Sequence, residues 1–204
     1  MNNFSKIDQY KTIYKSNLKY QRNLLPMYKT INSCINFDLQ SFLDYGCGRS
    51  NLCEIMKINK KIKTYKYDPA IPEFNYIKKG LKVDLIANCD VMEHIPESEV
   101  DVLLEHMSNI SQNVFFNIYL KKATTYLPNG ENAHCTIKPI YWWRKKIKKY
   151  FNTTTIVPTT YKNSVTIITW NISIINLLKV YLNNFNIFSQ YLLWLIRVNF
   201  FKKK

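Results

Sequence analysis

The sequence predicts an α/β protein, because three short strand-like segments each end beside an acidic residue and helical patterns lie between them. The segments are Ser41 to Asp44, Lys63 to Tyr67 and Val83 to Cys89. The first carries Asp44 and runs into a turn, and the second and third end at Asp68 and Asp90. Buried strands that alternate with helices are typical of a mostly parallel sheet covered on both faces.

Helices are predicted before the first strand and after it. Residues 1 to 40 are polar and aromatic and predict a helical cap of one or two helices, with Pro26 opening the second. Asn51 to Met56 suits a short crossover helix. The interval from Pro69 to Lys82 is too short for a complete helix and strand, so we expect this part of the sheet to be abbreviated.

The second half of the chain predicts two helices and three strands. Pro96 opens a helix with acidic residues in its first turn, where the helix dipole favours them. The two final strands are rich in β-branched residues and suit an antiparallel terminal hairpin at the sheet edge. In chain order, the predicted elements are a helix from 96 to 107, a strand from 113 to 120, a helix from 141 to 151, and strands from 153 to 157 and from 164 to 170.

The last segment, 172 to 204, predicts an amphipathic basic helix after a domain that spans residues 1 to 171. Its apolar residues recur at helical spacing but are interrupted by asparagines. A membrane span needs about 20 predominantly apolar residues, so we reject a transmembrane helix. The remaining interpretations are a helix packed on the domain, a contact in a homodimer, and a peripheral membrane contact that uses Lys202, Lys203 and Lys204.

Composition and charge limit the classes of partner. Hydrophobic residues make up 47% of the 204 and charged residues 21%, as in a globular protein. The net charge of +15 comes from 29 Lys and Arg against 14 Asp and Glu. Such an excess attracts nucleotide-linked small molecules, acidic glycans, nucleic acid or a membrane surface. An excess of basic residues that lies on the surface without binding a partner is an equally good interpretation, because the charge is spread along the chain.

The cysteines predict a reducing compartment. There are five, an odd number, and no two form a Cys-x-x-Cys pair. This pattern favours a cytoplasmic protein over a disulfide framework or a zinc site, and we predict no metal site. The N-terminus lacks a charged leader followed by an apolar stretch, so export is not expected.

The turn after the first strand has the features of a nucleoside-binding site. The chain has four glycines, and Gly46 and Gly48 are two of them. Bare backbone lets a ligand approach closely, and a carboxylate at the tip of the next strand, here Asp68, suits ribose hydroxyls. A dinucleotide-dependent dehydrogenase would carry a third glycine where Asn51 stands, so this alternative is weaker.

Three sequence motifs, taken in chain order, resemble those of the class I S-adenosylmethionine-dependent methyltransferases, over about residues 40 to 145. The motifs are Asp44-x-Gly46-x-Gly48, Asp68-Pro69-Ala70 and the segment from Cys89 to Ile95. The likeness is nearest to the branch that modifies small molecules and glycans. Residues 127 to 134 and the following Trp142-Trp143 also resemble a subset found among bacterial polysaccharide and phage genes.

The resemblance implies a Rossmann-like sheet of seven strands, S-adenosylmethionine as cofactor and S-adenosylhomocysteine as product. It further implies methylation of an oxygen on a small molecule, such as a sugar or precursor of a surface polysaccharide. By the same likeness, Asp44 positions the methionine end of the cofactor and Asp68 binds the ribose. The full set of expected cofactor contacts is Tyr14, Asp44, Tyr45, Gly46, Cys47, Gly48, Asp68, Pro69, Cys89, Asp90 and Val91.

The expected catalytic residues are His94, His134 and Asp90. Both histidines follow strand ends, where open α/β sheets place their ligands, and either could take a proton from an acceptor hydroxyl. Asp90 could instead cap the next turn, and His94 could pack under the loop. A nucleic-acid (RNA) methyltransferase is the alternative function, and a membrane-attached scaffold without enzyme activity is another. No Asn-Pro-Pro-aromatic motif follows the third strand, which argues against nucleic acid.

Overall fold

Two helices precede the sheet in the computed structural model, which describes residues 6–16 and 23–185. Helix α1 spans Lys6–Ser16 and helix α2 spans Leu25–Cys34. Pro26 lies in the first turn of α2, as predicted, where its missing N–H needs no partner. Helix α2 fully buries Met27 and Ile31, so it belongs to the core.

The sheet is mixed and has six strands in the described residues. They are β1 (Ser41–Tyr45), β2 (Lys63–Tyr67), β3 (Leu85–Cys89), β4 (Val114–Tyr119), β5 (Thr155–Val157) and β6 (Ser164–Ile168). Their spatial order is β2-β1-β3-β4-β6-β5. Strands β1 to β4 are parallel, whereas β6 is antiparallel to both β4 and β5.

A seventh strand does not occur in the described residues, although the resemblance implied one. The interval after β2 holds a single 3-10 turn at Pro72–Phe74. Asp68 N donates a hydrogen bond to Phe74 O, and Ile71 N donates to Asp68 O. The backbone therefore closes on itself here, which agrees with the abbreviated unit expected from the length of this interval.

Helices cover both faces of the sheet because neighbouring strand residues point to opposite sides. On one face, Phe42 packs in the same cluster as Leu52 and Met56 of α3 (Leu52–Lys60). On the other face, Leu43 joins Leu104 of α4 (Val100–Ile110) and Trp143 of α5 (Ile140–Lys148). The two clusters form the core on either side of the sheet.

The chain after β6 forms helix α6, described over residues 174–185. Val180 is fully buried in the cluster that contains α2, and Asn183 Nδ2 donates a 2.6 Å hydrogen bond to Ser33 Oγ. The described part of α6 therefore packs on the domain. Residues 186–204, with the three terminal lysines, lie outside the described residues. Among the helices of the described ranges, none has the length and apolar character that a membrane crossing requires.

The carboxyl ends of β1 to β4 meet at one edge of the sheet, because these strands are parallel. The segments that leave this edge are the glycine turn, the start of the 68–82 interval, the 3-10 turn Met92–His94 and the loop 120–139. Ligands of open α/β sheets bind at this edge. All of the strand-end residues selected from the sequence therefore lie on one side of the molecule.

Candidate functional site

The turn after β1 is tied to the end of β2. Gly46 N and Cys47 N both donate to Tyr67 O, at 2.7 and 3.0 Å. Gly48 N donates to Asp68 Oδ2 at 2.9 Å. The glycine turn and the carboxylate of Asp68 are therefore adjacent in space.

Side chains occupy the space that the two glycines leave. Gly46 has φ +80° and Gly48 has φ +48°, conformations that disfavour other residues. A Cβ on residue 46 would lie 2.9 Å from Val91 Cγ1 and closer still to Cγ2, and one on residue 48 would lie 2.9 Å from Tyr14 Oη. The sequence predicts bare backbone facing a ligand, whereas here Val91 and Tyr14 lie against it.

Two buried carboxylates brace the turn. Asp44 is 2% exposed and accepts a 2.6 Å hydrogen bond from Ser50 Oγ; burial raises its pKa to about 6, against the lowering effects of Ser50 and Lys66. Asp68 accepts from Gly48 N through Oδ2 and from Ala70 N through Oδ1. Burial also raises the Asp68 pKa, and these two N–H donors oppose the rise. Both side chains thus lie where the sequence placed them.

Tyr45 and the neighbouring cysteines point into the protein. The Tyr45 ring packs edge-on against Tyr67, and its hydroxyl lies 2.8 Å from His106 Nδ1 on α4. This is the opposite face of the sheet from Asp44, as strand alternation requires. Cys47 and Cys89 are buried, and burial raises the pKa of the Cys47 thiol. At positions 45 and 47, the backbone is therefore the part of each residue that lies in the turn.

Asp90 and Val91 form the sharp exit from β3. Asp90 has φ +58°, a left-handed conformation that is uncommon outside glycine, and its N–H donates to Asn117 O at 2.9 Å. Val91 then packs on Gly46. Pro69, next to Asp68, opens the turns that follow β2. These residues hold the three strand ends together.

Helix α1 lies across this edge of the sheet. Tyr14 contacts the position of Gly48, and the Tyr14 carbonyl accepts a 3.0 Å hydrogen bond from the Arg49 guanidinium. One turn earlier, Tyr10 Oη lies 2.7 Å from His94 Nδ1. Gln9 Oε1 accepts from Asn129 N at 3.2 Å. The helix therefore joins the glycine turn to the loop after β4.

The two predicted histidines meet, although 40 residues separate them. His94 ends the 3-10 turn after β3 and His134 lies in the loop after β4, with their ring centroids 4.7 Å apart. The fully buried Glu93 adjoins both, with Oε1 4.0 Å from His134 Nε2. Cys135 N and Thr136 N donate to Glu93 O at 2.9 and 3.0 Å and fasten the loop to the turn.

Glu93 is the functional candidate that the sequence analysis missed. Its position next to His94 was the one sequence signal for a functional role. An acidic residue just before a helix, however, indicates only a favourable interaction with the helix dipole. Together, the glycine turn, helix α1 and the histidine cluster (Glu93, His94 and His134) form one continuous candidate site.

A shallow apolar depression of about 550 Å³ lies elsewhere, between the end of β4, the start of α5 and β5. Its lining residues are Leu120, Pro139, Ile140, Tyr141, Arg144 and Ile156. None of the site residues predicted from the sequence lines it. Its position therefore adds nothing to the predicted site.

Comparison with known proteins bears on the fold. No protein-family model and no curated protein matches the chain. Among solved structures, a mitomycin 7-O-methyltransferase superposes with a TM-score of 0.59 at 8% identity, covering 82% of this chain. An O-methyltransferase family protein from Burkholderia thailandensis gives 0.54 at 8% identity and covers 80%. The chain has a methyltransferase fold. It spans 60% of the length of each of these two structures.

Proposed function

We propose that the protein transfers the methyl group of S-adenosylmethionine to an oxygen atom of a small molecule. The observation that carries the proposal is the hydrogen bond from Gly48 N to Asp68, which holds a left-handed glycine turn against a strand-end carboxylate. It occurs at the ligand-binding edge of a sheet with the methyltransferase fold. When bound, the cofactor would supply a methyl group already activated on a sulfonium centre.

The residues of the turn fit this cofactor. Each oxygen of Asp68 has accepted one backbone N–H, and a carboxylate has about four acceptor sites in all, so capacity for ribose hydroxyls remains. The atom nearest to the position that a Cβ on residue 48 would take is the hydroxyl oxygen at the far end of the Tyr14 side chain. Rotation of that side chain would open the space above the turn. Asp68 would then bind the ribose, and Asp44 would brace the turn at the methionine end.

The acceptor would lie beside His94 and His134. Tyr10 and Tyr14 are four residues apart on α1, about 6 Å along the helix axis, and they contact the histidine cluster and the glycine turn respectively. Methyl donor and acceptor would thus lie within about one helical turn of each other. Close placement of this kind supplies much of the acceleration in a group transfer.

The acceptor class we propose is a sugar hydroxyl, in a precursor of surface polysaccharide. The net charge of +15 supports an anionic or nucleotide-linked form of it. The ring centroid of Tyr119 lies 5.7 Å from that of His134, so the Tyr119 ring would lie beside the acceptor. In this reaction, the histidine cluster would receive the proton of the acceptor hydroxyl.

Calorimetric titration with S-adenosylhomocysteine tests the cofactor site. We expect Asp68→Asn to weaken binding about tenfold or more, because a hydrogen bond to a charged group contributes roughly 1.5–3 kcal/mol. Asp84→Asn is the matched control. Asp84 also accepts two backbone N–H groups, from Gln40 and Ser41, but at the opposite edge of the sheet. Equal losses in both variants would refute the assignment of Asp68.

Methyl transfer from labelled S-adenosylmethionine tests the acceptor. Purified protein would be offered nucleotide-linked sugars, free sugars, RNA and DNA under identical conditions. Transfer to the sugars supports the proposal. Transfer to RNA or DNA that weakens steeply with added salt would overturn the acceptor class in favour of a nucleic-acid methyltransferase.

A further inference from the structure

We propose that Glu93, His94 and His134 bind a divalent transition-metal ion at the carboxyl edge of the sheet. One ligand atom from each of these side chains lies within 4.8 Å of the other two. Two imidazoles and one carboxylate are a donor set that ions such as zinc, iron and manganese use in proteins. Binding of the ion stands apart from the proposed function, whereas its role in methyl transfer rests on that function.

The carboxylate is placed where a cation would be most stabilising. Glu93 is 0% exposed, and the attraction between a carboxylate and a cation is stronger away from bulk water than in it. The side chain of His134 is only 10% exposed. Backbone hydrogen bonds from Cys135 and Thr136 to the Glu93 carbonyl fix the loop on which His134 is carried. The donors are therefore held together by the fold before any ion binds.

A backbone carbonyl defines the tautomer of His134. A carbonyl oxygen can only accept, and Lys121 O lies 2.6 Å from His134 Nδ1. In the neutral ring the proton is therefore on Nδ1, and the lone pair is on Nε2. At His94, Nδ1 lies 3.0 Å from Ala133 O and 2.7 Å from the Tyr10 hydroxyl. Metal-bound histidines in proteins are oriented in this same way, by a hydrogen bond from the other ring nitrogen.

The distance between Glu93 and His134 suits a shared ion. His134 Nε2 and Glu93 Oε1 are 4.0 Å apart, which is too long for a hydrogen bond. In the neutral tautomer, two lone-pair atoms face each other across this gap. Ligand atoms bound at about 2.0–2.2 Å to one tetrahedral ion are roughly 3.4 Å apart, so a movement of about half an ångström would let these two atoms bind the same ion. Small side-chain rotations would bring the third donor into range.

Three protein ligands leave at least one coordination position open. Sites of this kind are catalytic more often than structural, since structural zinc sites are usually closed by four protein ligands. A bound ion would occupy the lone pairs with which the imidazoles could otherwise accept a proton. The ion would then take over their role, because an acceptor hydroxyl in the open position would lose its proton to solvent more readily. Its oxygen would then form the new O–CH₃ bond as the S–CH₃ bond breaks. The sulfonium would take the electron pair of that bond and become a thioether.

Calorimetry with metal ions, on protein first treated with a chelator and then dialysed, tests the site. The probes are MnCl₂ and ZnCl₂, titrated into the full chain and into Cys135→Ser, which removes an exposed thiol near the cluster. We expect one equivalent to bind in both. Glu93→Gln and His134→Ala should each weaken binding at least tenfold. His106→Ala removes the remaining histidine, on α4, and should leave binding unchanged.

Two results would overturn the metal site. One is the absence of binding at millimolar Mn²⁺ and Zn²⁺. The other is binding that persists in both Glu93→Gln and His134→Ala.

Titration of the same variants with S-adenosylhomocysteine separates this proposal from the proposed function. Retained binding in Glu93→Gln and His134→Ala would show that both variants are folded and that the site for the methyl-donor cofactor is independent of the ion. If the protein binds the metal ion but not S-adenosylhomocysteine, the proposed function fails and the metal site stands. If it binds S-adenosylhomocysteine but no ion, the metal site fails and the proposed function stands.

Discussion

Replacing Gly46 by alanine tests whether the turn after β1 depends on packing against Val91 as well as on its backbone conformation. Gly46 has φ +80°, and an added Cβ would overlap both methyl groups of Val91. A left-handed conformation costs a residue with a Cβ about 1–2 kcal/mol. Overpacking adds about 1–3 kcal/mol. We therefore expect Gly46→Ala to lower the free energy of unfolding by about 2–5 kcal/mol.

Gly130→Ala is the matched control for backbone strain. Gly130 has φ +85°, but nothing lies within 4 Å of the position its Cβ would take. Its replacement should cost only the conformational term, about 1–2 kcal/mol. The difference between the two variants in urea-induced unfolding therefore measures the contact between position 46 and Val91.

A double-mutant cycle completes the test. In Gly46→Ala/Val91→Ala the overlapping methyl groups are gone, so the combined loss should be smaller than the sum of the single losses by at least about 1 kcal/mol. The reasoning is refuted if Gly46→Ala loses no more stability than Gly130→Ala. Additive losses in the cycle would also refute it.

The remaining predictions concern the pH dependence of stability. Burial raises the pKa of Asp44 from 3.8 to about 6, so the stability that this group contributes below pH 4 should be lost as the pH rises through 6. This loss is at most roughly 3 kcal/mol, and Asp44→Asn should abolish it in urea unfolding between pH 4 and 7. Asp101 has the opposite sign, because Lys146 above all, and also Lys149 and Tyr150, lower its pKa. Its contribution to stability, below about 1 kcal/mol for a partly exposed pair, should fade as the pH drops below 4. In a salt titration of Asp101→Asn, added salt should cause no further loss of stability.

Local sequence patterns predict the elements of this fold well wherever apolar residues mark the buried face. Strand β4, predicted over 113 to 120, spans Val114–Tyr119 and buries its first five residues. Helix α3 extends beyond the predicted Met56 to Lys60. The prediction ended too early because the last residues of the helix are exposed and carry no apolar pattern. The helix stops at Lys61, which adopts a left-handed conformation that does not follow from a lysine.

The site divides in the same way between local and distant contacts. The glycine turn and Asp68 could be predicted because each is defined by its place at a strand end. The contact between Glu93 and His134 could not, since it depends on how the loop after β4 folds back across 41 residues. The positions of Tyr10 and Tyr14 depend on the docking of α1, which no periodicity in the sequence specifies.

Helix α1 contacts both parts of the site, the glycine turn and the histidine cluster. Because Tyr10 and Tyr14 project from a single helix of 11 residues, a ligand that displaces Tyr14 from Gly48 by moving the helix would also shift Tyr10 relative to His94. Occupancy at one end would then alter affinity at the other, and thermodynamic linkage makes the effect equal in both directions. A short segment that precedes the sheet would then make the affinity for each of two substrates depend on the presence of the other.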